Sequence, residues 1–177
     1  MRVLPVCVVK TVPMDHKEHK TLPNNDVIAG VITALETVPR VVLPVRGISM
    51  LPFIVGDVDS VELVKPQSVE VGDVVLAWIN GSRYVVHRII SIDGDNVRLM
   101  GDGNLGGDER CKVGDVVARA EYVVSPNGRR AYLYSPWRVR ASRFWWKIKP
   151  LRRWILAIYR RTILKYKIYR KRHYELH

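Results

Sequence analysis

The chain has 177 residues, 47% of them hydrophobic, which suits one modest core rather than a string of domains. Its formal charge of +12 sits at one end: residues 137 to 177 hold 14 Lys/Arg and one Glu, whereas residues 1 to 136 hold 15 Lys/Arg and 16 Asp/Glu. Two cysteines, Cys7 and Cys111, are too few and too far apart to announce a disulfide framework or a zinc site, and packing is the role expected of them.

Residues 1 to 25 read as an N-terminal arm. Met1 to Val9 is apolar but short, broken by Pro5 and without a small-residue cleavage site, so it makes a poor secretory signal. Met14 opens a polar stretch and is a second candidate start. His16 and His19 lack a supporting ligand set and read as part of a solvated arm; no metal or cofactor is expected. From Asn25 or Asp26 as cap, Ile28, Val31, Ile32 and Leu35 recur at helical spacing, and the helix ends before Pro39. The longest uncharged stretch here, Val27 to Leu35, has nine residues against the roughly 20 that a spanning helix needs.

After Pro39 the period changes. Val41 to Val45, Ser60 to Val64, Val74 to Ile79, Arg83 to Ile90, Asn96 to Met100 and Val116 to Val124 are β-branched runs bounded by Gly, Pro, Asp and Asn, which predicts a mainly β domain over 26–135. Gly-Asp dipeptides beginning at 56, 72, 94, 101, 107 and 114 punctuate them. Val71-Gly72-Asp73-Val74-Val75 is echoed by Val113-Gly114-Asp115-Val116-Val117, one turn-to-strand solution used twice rather than a duplicated domain.

Within this domain Gly47-Ile48-Ser49-Met50-Leu51-Pro52 frames a serine that a base could activate. Val86-His87-Arg88 supplies the histidine, and Gly101-Asp102-Gly103-Asn104 with Asp108 supplies carboxylates that could fix its tautomer. Each has a plainer reading: Ser49 as a turn serine, His87 as a core histidine alternating with Val85 and Ile89, Asp102 as a turn residue beside glycines of positive φ. Glu109 is a substitute for Asp108. Lys65, before Pro66 in a predicted turn, is disfavoured as a base.

Taken in order, Ser-Met-x-Pro, Gly-Asp-Val-Val, Val-His-Arg and Gly-Asp-x-Asn with a second Asp six residues on resemble the type I signal peptidases. The likeness is greatest to the histidine-using branch of the endoplasmic reticulum and archaea, within a superfamily that includes the LexA-type repressors. It covers roughly residues 38 to 124. The resemblance implies a signal peptidase/LexA-like β-rich catalytic fold, with Ser49 as nucleophile, His87 as general base, Asp108 orienting His87 and Asp102 in support; the two aspartates could be exchanged. It also implies an extended precursor peptide as substrate, with small residues at and two positions before the cut. Gly47, Met50 and Pro52 are candidates for the substrate groove. The expected activity is cleavage of a leader or signal segment from a precursor; a non-catalytic peptide-binding or complex-assembly module on the same fold is the alternative.

Residues 136–177 form a basic aromatic tail, divided by Pro150. Leu151, Ile155, Ile158 and Tyr159 fall on one helical side, and Arg152, Arg153, Arg160 and Arg161 mostly elsewhere, which predicts a basic amphipathic helix. Peripheral membrane contact through 144–172 is therefore expected, on the cytoplasmic face by default. Nucleic acid, which cations and aromatics could also serve, is disfavoured because residues 1 to 40 offer no helix-turn-helix pattern.

Overall fold

The computed structural model describes residues 24–166 together with 168 and 171. The expected arm, including Met14, His16, His19 and Cys7, lies outside the described residues. Helix α1 spans Asn24–Thr37 and places Asp26 within its first turn, so the helix starts slightly before the expected cap. Ile28, Val31 and Leu35 are buried on one face, as their spacing dictates, and pack on the sheet.

Eight antiparallel strands follow: β1 (Val41–Pro44), β2 (Ser60–Val64), β3 (Val74–Ile79), β4 (Arg83–Asp93), β5 (Asn96–Met100), β6 (Glu109–Lys112), β7 (Val116–Val124) and β8 (Arg130–Tyr132). Their order is β1-β2-β7-β3-β4-β5-β6, with β8 also paired to β7. Register shifts at Glu62/Leu63, Leu76/Ala77 and Ile89/Ser91 bend the strands. Such irregularities raise local twist, and the sheet curls into a half-barrel. The chain is thus mainly antiparallel β with a few helices.

The central strand β3 explains why Val-Val-Leu-Ala-Trp-Ile is apolar throughout rather than alternating. Val74 and Leu76 belong to the core beneath α1, whereas Val75, Ala77 and Ile79 belong to a second core with Ile89, Val97 and Leu99. Both faces of the strand are covered, so neither can be polar. Tyr134 ties β3 to β7: its hydroxyl accepts from Val74 N at 3.1 Å and donates to the Ala120 carbonyl at 2.9 Å.

The echoed pentapeptides feed β3 and β7, which pair with each other. In each, the aspartate carboxylate accepts a backbone N–H three residues earlier, Glu70 N to Asp73 at 3.0 Å and Lys112 N to Asp115 at 2.8 Å. The same local closure launches two neighbouring strands.

Two further helices follow, α2 (Pro136–Lys147) and α3 (Lys149–Arg161). Trp145 and Leu156 are buried against Leu51, Val55 and Val58, forming a third apolar cluster beside the turn that carries Ser49. Among the described residues no helix is long and apolar enough to cross a membrane.

Candidate active site

Ser49 lies half-buried in the turn between β1 and β2, and its neighbours hold that turn from beneath. Met50 and Leu51 are buried in two different apolar clusters, and the Leu51–Pro52 peptide is cis. Gly47 has φ +81°, a left-handed conformation that side chains disfavour. Among the described residues neither the Ser49 nor the Met50 backbone N–H is engaged by a protein acceptor.

The Gly101–Asn104 loop locks onto this turn. Gly103 N donates to the Ser49 carbonyl at 2.7 Å. A Cβ on Gly101 would stand 2.3 Å from the Ser49 carbonyl oxygen, and one on Gly103 would stand 2.5 Å from that of Ile48. These glycines are demanded by close backbone approach; neither is among the residues of positive φ that the plainer turn reading of Asp102 would need.

Asp102, between them, is fully buried. It receives both Arg88 Nε, at 2.9 Å, and Arg88 Nη2, at 2.7 Å, and Trp146 Nε1 at 3.1 Å. Its carbonyl accepts from Trp145 Nε1 at 2.7 Å and from Arg152, whose Nη2 also reaches the Asn104 carbonyl at 2.8 Å. The carboxylate therefore fixes the loop that holds the serine turn.

His87 is on β4, 6% exposed, and its partner is on β6. Nδ1 is 2.7 Å from Glu109 Oε2, and Arg83 binds the other oxygen of the same carboxylate. An ionised carboxylate only accepts, so Nδ1 carries the proton and Nε2 is left as the basic nitrogen. Burial pushes the His87 pKa below its ordinary value; Glu109 pulls the other way and Arg83 adds to the lowering. The ring is held neutral near pH 7.

Asp108 does not occupy the orienting position expected for it. Arg98 Nε reaches its Oδ2 at 2.8 Å, and that hydrogen bond holds its carboxyl below the usual range. Asp108 and Glu109 are adjacent at the start of an extended segment, where successive side chains point to opposite sides. Only one of them can face His87.

Ser49, His87, Glu109 and Asn104 line one cavity of about 740 Å³, walled by Ile28 of α1, Leu43 and Val45 near β1, and Val85. Ser49 Oγ and His87 are not hydrogen-bonded to each other. Gly47, Met50 and Pro52, expected in the substrate groove, are not among the lining residues; Met50 is core. The polar lining residues that sequence reasoning missed are Arg46, Arg83 and Asn104: Asn104 ends the Gly-Asp-x-Asn run, and the two arginines lie at or just beyond strand ends without a pattern to mark them.

Neither protein-family models nor curated proteins match the chain.

Proposed function

We propose that this chain is a serine endopeptidase of the signal-peptidase-like type, cleaving a leader or signal segment from a precursor peptide. The observation that carries the reading is the 2.7 Å contact between Glu109 and His87 Nδ1 in a cavity that also exposes Ser49. A carboxylate on Nδ1 selects the tautomer in which Nε2 can take a proton and stabilises the imidazolium that results. The downward-shifted His87 keeps that nitrogen unprotonated at neutral pH.

In the proposed reaction His87 Nε2 accepts the Ser49 hydroxyl proton as Oγ attacks the scissile carbonyl. The same proton passes to the leaving amine; water, deprotonated by His87, then attacks the acyl carbon, the bond to Ser49 Oγ breaks, and His87 returns the proton to that oxygen. The unengaged N–H groups of Ser49 and Met50 suit the developing oxyanion, and Asn104 offers a side-chain amide in the same cavity. The apolar walls fit an extended peptide, and the resemblance to signal peptidases adds small residues near the cut.

The missing Ser49–His87 hydrogen bond favours a second reading, a peptide-binding module without catalysis. Such bonds often tighten only with substrate present. A peptide-aldehyde inhibitor of signal peptidases, followed by intact mass, separates the two. Adduct on the wild type, lost in Ser49→Ala and His87→Ala, supports the peptidase. Peptide retention by folded protein without adduct, unchanged in both variants, refutes it.

A further inference from the structure

Helix α3 is packed with its polarity reversed. Its buried face carries Arg152, 1% exposed, together with Leu156 and half-buried Tyr159. Its outward face carries Leu151, Trp154, Ile155 and Ile158, at 57%, 70%, 38% and 64% exposure. Those four positions follow the i, i+3, i+4, i+7 rhythm of an apolar helical stripe, which in a self-contained domain would face the core. Tyr159, expected on that stripe, lies on the inner side instead. Arg152 takes the core position because the Asp102 and Asn104 carbonyls receive its guanidinium and Trp146 stacks on it at 4.8 Å.

Helix α2 continues the pattern. Trp137 and Phe144, seven residues apart on one side, are 77% and 64% exposed, while Trp145 is buried. Of the 14 large apolar side chains exposed among the described residues, eight lie between Trp137 and Tyr166. A concentration of this kind marks a surface that something else covers.

The charge around it identifies the covering surface. Lys147, Lys149, Arg153, Arg160 and Arg161 accompany the stripe, and no Asp or Glu occurs from Pro136 to Tyr174. Wet apolar and tryptophan side chains on helices whose own charged residues are all cations fit the boundary of an anionic bilayer, where rings sit at headgroup depth and the cations meet phosphate. We infer that the outward face of α2 and α3 seats this protein on anionic lipid, with the inward face holding the Gly101–Asn104 loop. The inference stands apart from the peptidase reading, because none of these outward residues lines the Ser49 cavity.

Full-length protein carrying Ser49→Ala is mixed with vesicles of phosphatidylcholine alone or with phosphatidylglycerol and sedimented, so that catalysis plays no part. The expected result is binding to the anionic vesicles, weakened by salt. Trp154→Ser with Ile158→Ser, both exposed and so leaving the thermal midpoint unchanged, should cut partitioning at least about tenfold. Arg153→Glu with Arg160→Glu should remove the preference for anionic lipid. Protein that stays in the supernatant with both vesicles overturns the inference. So does undiminished binding by the serine variant, or a stripe that instead governs self-association or retention on RNA.

Discussion

Replacing Glu109 by Gln tests the proposed site at its decisive contact. The carboxylate lies 2.7 Å from His87 Nδ1, with the two side chains only 18% and 7% exposed, so solvent screens the contact poorly. A hydrogen bond to a charged partner is worth about 1.5–3 kcal/mol. An amide can also present its NH2 to Nδ1 and hold the wrong tautomer, a fault that costs up to about 10⁴ in the serine protease template. Together these give a loss of about 3–5 kcal/mol, or roughly 10²- to 10⁴-fold in rate. The assay is acylation of Ser49 by an activated peptide ester, followed by intact mass across pH. Glu109 raises the His87 pKa, so its removal should also move the acid limb of the profile to lower pH. Asp108→Asn, which breaks only the contacts with Arg98 and Arg110, should change the rate less than about threefold. If the two variants exchange these behaviours, Asp108 orients the histidine and the geometric assignment is wrong.

His87 should also leave a mark on stability. Its folded pKa lies below that of the unfolded chain, so the unfolded chain takes the proton first as pH falls. The contribution is whole above about pH 6.5 and is lost between there and the folded value; thermal midpoints of wild type and His87→Gln should converge over that window. Gly103→Ala puts a Cβ 2.5 Å from the Ile48 carbonyl oxygen and 3.2 Å from Leu51 N, both backbone atoms. It should destabilise by about 1–3 kcal/mol and slow acylation, read by thermal melting and the same ester. Asp102→Asn leaves Arg88, 7% exposed, without its paired charge, and chemical denaturation should register a loss of about 3–5 kcal/mol.

The strands that sequence reasoning located were those whose β-branched runs announce burial on one face or both. It missed β6, Glu-Arg-Cys-Lys, and β8, Arg-Ala-Tyr, because each is short, mostly polar and defined by the neighbour it pairs with. The same blindness affected the carboxylate. Ser49 and His87 could be picked out by motif and order, but choosing between Asp108 and Glu109 requires the phase of β6 against β5, where Leu99 opposes Glu109. Helical periodicity found the apolar stripe of α3 but could not say which way it faces. Arginine is the last residue one would assign to a core, and the Asp102 and Asn104 carbonyls, with Trp146 stacked on the guanidinium, make that place tolerable for Arg152.

The contact between Gly103 N and the Ser49 carbonyl is a single hydrogen bond, yet it joins the serine turn to a loop pinned by Trp145 and Arg152. Opening that bond means lifting the Gly101–Asn104 loop away from two helices, so the Gly103 amide should surrender its hydrogen to solvent only when the helix pair undocks. Its deuterium uptake becomes a clock for the tail. Whatever settles on α2 and α3 from outside would slow that clock, and chain cleavage between β8 and α2 would run it fast.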